Sequence, residues 1–111
     1  MGTVEQWADL STDKFDEVIG SREPYVIEFW AEWCAPCSSF ESILREVAEE
    51  FGDLFNVARV NVGVEEALAI RCGIASVPAL GLVRDGELAR RVFGARGRRF
   101  LRDELQAFFS V

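Results

Sequence analysis

Apolar positions change their spacing several times along the chain, and each change predicts an element. Phe15, Val18 and Ile19 form a helical stripe after Ser11 or Thr12 as N-cap, ending at Gly20. Tyr25 to Trp30 (YVIEFW) is a dense apolar run. Its content suits a strand buried on both faces or a buried helix segment, and its length favours the strand. Beyond Cys37 the spacing turns helical, because Phe40, Ile43, Leu44, Val47, Ala48 and Phe51 recur at three and four, with Gly52 as the stop. Val57 to Val62 reads as the next strand, and Glu65 to Arg71 as a short helix ended by Gly73. Ala79 to Arg84 and Glu87 to Phe93 are strands around Asp85-Gly86, a strong hairpin signal. Phe100, Leu101, Leu105, Phe108 and Phe109 mark a terminal helix after Gly97, and Thr3 to Trp7 is a further short candidate strand. The order β-α-β-α-β-α-β-β-α calls for one mixed sheet with helices on both faces, its two central strands parallel.

Composition narrows the function without naming it. At 111 residues and 50% hydrophobic side chains, residues 1–111 are read as one domain with its own core. A net charge of −7 argues against nucleic acid as a principal partner. Most acids precede residue 54, where only Lys14, Arg22 and Arg45 are basic, whereas Arg84, Arg90, Arg91, Arg96, Arg98, Arg99 and Arg102 crowd the last third. That basic stretch is a solvated helix face or a patch that steers an acidic partner. The first ten residues have no basic start and no apolar core of a signal peptide, and no window has the length of a membrane span. Three cysteines do not make a secreted disulfide framework, so a reducing, cytoplasmic setting is expected, without membrane attachment.

The chemistry lies where the central strand hands over to the helix. Cys34 and Cys37 are two residues apart at that step, and Pro36 falls in the first helical turn, where its missing N–H costs nothing. The helix start presents unpaired N–H groups and partial positive charge, so a thiol there ionises more easily than in water. Cys34 is therefore the candidate nucleophile. A zinc site lacks ligands, since Cys72 brings the thiols to three and histidine is absent. Glu28 is the single carboxylate of the apolar strand, and burial there would raise its pKa unless it were paired or watered. Trp33 beside Cys34 is expected to be exposed as a docking surface, and Cys72 to be a small apolar residue at the end of the short helix.

The segment FWAEWCAPC, then Val77-Pro78, Asp85-Gly86 and Gly94 in that order, resembles the thioredoxin family over nearly the whole chain. The resemblance implies the α/β thioredoxin fold, a central mixed sheet of four to five strands flanked by about four helices. It implies a protein-disulfide reductase whose Cys34 and Cys37 form the redox-active disulfide, maintaining cell redox homeostasis without a bound cofactor. Its partners would be disulfide-containing client proteins and an NADPH-dependent thioredoxin reductase, and the chain a monomer. Glu28 stands at the family's buried carboxylate, which exchanges a proton with the second cysteine, and Arg59 at the neighbouring lysine position. Ala35 and Pro36 lie inside the motif, and Pro78 matches the cis proline facing the thiols. Trp33, Val77, Pro78, Gly94 and Ala95 would form the substrate groove. The chain departs from the pattern at Ala35, Ser38, Ser42, Gly63 and Ala79, where glycine, lysine, proline, aspartate and threonine are usual. These departures bear on redox potential and partner choice, and they leave open a specialised redox partner or scaffold dedicated to one client or assembly.

Overall fold

A computed structural model describes residues 7–110. Its elements are α1 (Thr12–Ser21), β1 (Tyr25–Trp30), α2 (Ala35–Glu49), β2 (Asn56–Asn61), α3 (Glu66–Arg71), β3 (Ala79–Arg84), β4 (Glu87–Phe93) and α4 (Arg98–Phe109), with a short 3-10 turn at Gly52–Leu54. The candidate strand over residues 3–7 lies, except for Trp7, outside the described residues.

The sheet runs in the order β2-β1-β3-β4, with β1 parallel to β2 and antiparallel to β3, and β3 antiparallel to β4. β1 is thus interior, which explains why its sequence is apolar at nearly every position instead of alternating. Successive β1 side chains go to opposite faces. Val26 joins Phe40, Leu44 and Val47 of α2 and Leu101, Leu105 and Phe108 of α4, whereas Ile27 and Phe29 join Phe15 and Val18 of α1 and Leu68 of α3. Each fully buried Leu in these layers, such as Leu44 and Leu101, contributes about 2 kcal/mol by leaving water. The same alternation puts Glu28 on the Val26 side, toward α2.

Two helix ends differ from the glycine signals. α1 continues past Gly20 to Ser21, and Arg22, at φ 62°, takes the left-handed cap and donates its N–H to the Ile19 carbonyl at 3.2 Å. α2 ends at Glu49, because Glu50 and Phe51 already bond three residues back, to Val47 and Ala48. Gly52, at φ 58°, begins the following turn. The hairpin at Asp85-Gly86 has positive φ at both residues, the conformation that Asp-Gly favours. At Gly81 a side chain has no room, since a Cβ would lie 2.9 Å from Leu88 Cδ1 and 3.1 Å from Phe29 Cε2.

The C-terminal arginines are largely partnered within the molecule. Arg98 and Arg102 of α4 form two-pronged pairs with Glu46 of α2 and with Glu50 just past its end, while Arg90 pairs with Glu104 at 3.2 Å. Arg91 donates to the Cys72 carbonyl at 2.6 Å, and Arg84 to the Phe108 carbonyl. Among the described residues no helix is long and apolar enough to cross a membrane.

Candidate active site

The site is built where β1 ends. Tertiary bonding of β1 on both edges fixes Trp30, the chain turns through Ala31 and Trp33, and Cys34 becomes the N-cap of α2 with extended backbone. Ala35 and Pro36 form the first helical positions, both exposed. No side chain caps this helix start. One helical turn brings Cys37 back beside Cys34, and the two are joined as a disulfide with Cα atoms 5.5 Å apart. Both are largely buried in the bridged form, Cys34 at 8% and Cys37 at 5% exposure. Ala31, Trp30, Val62 and Val77 pack around them.

The Val77-Pro78 peptide bond is cis, as the resemblance implied, and Pro78 is buried at the start of β3. Gly94 donates its N–H to the Pro78 carbonyl at 3.0 Å, which ties the end of β4 to this loop. A groove of ≈ 250 Å³ on the outer side of the thiols is lined by Trp33, Val62, Ile70, Ile74, Ser76 and Val77, among others. Trp33 is 73% exposed, as its place beside the reactive thiol suggested, and Ile70 is 77% exposed. Gly94 and Ala95 do not line this groove. Ile70 on α3 adds apolar surface to it. Ile70 was not among the site residues expected from the sequence, where it stood only inside the short helix over Glu65 to Arg71.

Behind the disulfide lies a second cleft of ≈ 380 Å³, lined by Trp30, Cys34, Cys37, Ser38, Glu41, Arg45 and Arg59, among others. Glu28 sits beneath it, fully buried. Arg59, opposite Glu28 in the β1–β2 ladder, brings Nε to 3.6 Å from Glu28 Oε1 and 3.3 Å from Glu41 Oε1. It also lies against the Trp30 ring, 4.1 Å from its centroid, and faces Asp9 at 3.6 Å. Asp9 in turn accepts from Trp30 Nε1 at 2.7 Å. Burial, the adjacent Glu41 charge and a proton shared with Glu41 push the Glu28 carboxyl from 4.5 up to about 8, while Arg59 and Arg45 pull it down. Neither Glu28 oxygen has a hydrogen-bond partner, so nothing but the more distant arginines offsets the cost of a charge there.

Sequence reading singled out Glu28 and Arg59 but missed Glu41, Arg45 and Asp9. A signal existed for the first two, because Cys37, Glu41 and Arg45 recur at four-residue spacing and share one flank of α2. Asp9 precedes the first helix, and nothing local ties it to the site. Cys72 is unbridged and buried at the end of α3, and burial pushes its thiol up.

Comparison with known proteins agrees with this geometry. The family model described as Thioredoxin matches residues 6–107. A thioredoxin from Mycolicibacterium smegmatis is 37% identical over 99 residues, covering 86% of this chain and 88% of its own. A bifunctional thioredoxin reductase/thioredoxin from Mycobacterium leprae is 32% identical over 91 residues, 82% of this chain and 20% of that protein. Among solved structures, a thioredoxin variant from Halobacterium salinarum NRC-1 superposes with a TM-score of 0.83 at 29% identity, covering 99% and 98% of the two chains. With a cysteine pair bridged at a helix start and a cis proline packed beside it, the chain belongs to the thioredoxin family and is a thiol–disulfide oxidoreductase.

Proposed function

We propose that the chain reduces disulfides of client proteins through Cys34, with Cys37 as resolving thiol and Glu28 as its base. The observation that carries this is the Cys34–Cys37 bridge at an uncapped helix N-terminus, beside an apolar groove and above a buried carboxylate. In the dithiol form the helix start favours the Cys34 thiolate, which attacks one client sulfur. A mixed disulfide forms and the other client sulfur leaves as a thiolate. Cys37 then gives its proton to Glu28 and attacks Cys34, so the Cys34–Cys37 bond forms and the Cys34–client bond breaks. Two electrons pass to the client, and the protein ends in the bridged state. A base works best when its pKa approaches that of its partner and the working pH, which a Glu28 raised to about 8 does far better than an ordinary glutamate.

Trp33 and Val77 supply the apolar contact for the client, Ala35 and Pro36 hold the motif's turn, and Pro78 with Gly94 shapes the loop beside the thiols. Arg59 tempers the charge on Glu28. Recharging by an NADPH-dependent thioredoxin reductase is supported by the Mycobacterium leprae relative, whose name joins reductase and thioredoxin in one protein. A cytoplasmic setting is supported by the unbridged Cys72, which suits a reducing compartment.

The test uses Cys37→Ser, reduced and mixed with a protein disulfide. A covalent adduct on Cys34 that the parent protein forms only transiently is the expected result, together with turnover of the parent by NADPH and a thioredoxin reductase. No adduct, with Cys34 alkylating no faster than an ordinary thiol at neutral pH, would remove the basis of the proposal.

A further inference from the structure

Glu28 has no exposure, and the charged groups that act on it, Glu41, Arg59 and Arg45, contact one another. From β2, Arg59 faces both Glu28 and Glu41, and it reaches Asp9 as well. From α2, Arg45 grips Glu41 Oε2 through Nη2 at 3.0 Å and Nε at 3.2 Å. The Arg59 charge is therefore divided among three carboxylates, and its Nε makes no hydrogen bond. Glu41 differs from Glu28 in one respect that matters. Its side chain is 20% exposed and lines the cleft that also holds Cys37 and Ser38. The two carboxyls are thus the dry inner member and the wetted outer member of one pair.

We propose that Glu41 is a positioning residue of the exchange reaction, held by Arg45 and Arg59 beside Glu28 so that the proton Glu28 takes from Cys37 is passed on to the cleft that Glu41 lines. The inference rests on the reading of Glu28 as the base for Cys37. A carboxylate held beside another makes the second a stronger base, and Glu41 also draws Arg59 away from Glu28. During release of the client the proton passes from Cys37 Sγ to Glu28 while the Cys37–Cys34 bond forms and the Cys34–client bond breaks. It then leaves toward water on the Glu41 side, and the client thiolate takes a proton from water. The client disulfide is the oxidant, and nothing further is consumed.

The experiment follows client release from the Cys34 mixed disulfide against pH for the parent, Glu41→Gln and Glu28→Gln. It is paired with a carbon-13 titration of the Glu28 carboxyl in the bridged protein. Glu41→Gln is expected to lower both midpoints by roughly one unit, because a neighbouring charge and a shared proton are removed. It should also slow release above the midpoint by about threefold to tenfold, since the remaining base is weaker. Midpoints unchanged in Glu41→Gln, with the pH step abolished by Glu28→Gln, overturn the role of Glu41 and leave that of Glu28 intact. A pH step that survives Glu28→Gln overturns the role of Glu28 and this proposal with it. The carboxyl titration in Glu41→Ala needs no turnover, and a Glu28 midpoint at the parent value there overturns the proposal as well.

Discussion

Arg59 Nε stands 3.6 Å from Glu28 Oε1, directly across the parallel β1–β2 ladder, and no hydrogen bond joins them. A close, bonded pair would hold Glu28 ionised. At this separation, with Glu41 nearer to Arg59 at 3.3 Å, burial wins and the Glu28 carboxyl rises to about 8. The pair is thereby a tuned acid rather than a structural salt bridge.

Stability of the bridged protein is expected to fall with pH because of Glu28. Below the unfolded value of 4.5 the group is protonated in both states and costs nothing. Between that value and the folded value of about 8 the unfolded chain loses its proton while the folded state keeps it, so stability is lost progressively across this window and levels off once pH has risen through the folded value. Denaturant unfolding of parent and Glu28→Gln from about pH 5 to about pH 9 should show the variant gaining on the parent by a few kcal/mol. Parallel stability curves would contradict the buried, raised carboxyl.

Replacing Arg59 by Met removes a charge that lowers the Glu28 pKa, so the midpoint of Glu28 titration should move up. The same change releases Asp9 and the contact with the Trp30 ring. A loss of about 1–3 kcal/mol in folding free energy is expected for breaking this partly buried cluster. A midpoint that moves down would show that Arg59 acts on Glu28 through something other than its charge.

Trp33→Ala should leave stability within about 0.5 kcal/mol, because the ring is 73% exposed. Loss of a large aromatic contact beside Cys34 should nonetheless lower kcat/KM for a protein disulfide about tenfold, mainly through KM. Reactivity toward a small disulfide should be retained. Equal losses for both substrates would assign Trp33 to the chemistry of Cys34 rather than to client docking.

Gly81→Ala tests the fold apart from the site. The added methyl meets Leu88 and the Phe29 ring, and the strain should cost about 1–3 kcal/mol. Alkylation of Cys34 in the reduced folded protein should keep its parent rate. A neutral substitution would mean that Leu88 moves aside without loss.

Periodicity located nearly all the elements, because their burial faces are written locally. The β3 and β4 bounds and the strand at Tyr25–Trp30 agree with the spacing of apolar residues, while β2 is displaced by one residue and two helices end away from the expected glycines. Those ends were decided by backbone bonding: the first helix runs past Gly20 to a left-handed cap at Arg22, and α2 tightens before Gly52 is reached. Cys34, Cys37 and Trp33 were legible because strand, cysteine spacing and helix lie side by side in the chain.

Sequence alone determined that a thiol pair stands at a helix start and that a carboxylate interrupts a buried strand, since both follow from neighbours within a few residues. Only the tertiary structure decided what surrounds that carboxylate. Glu28 comes from β1, Arg59 from β2, Glu41 and Arg45 from α2, and Asp9 from the segment before α1. The proton affinity of Glu28 depends on angstrom-scale distances among these distant groups and on water excluded from one face of the sheet, quantities set by packing and by no local pattern.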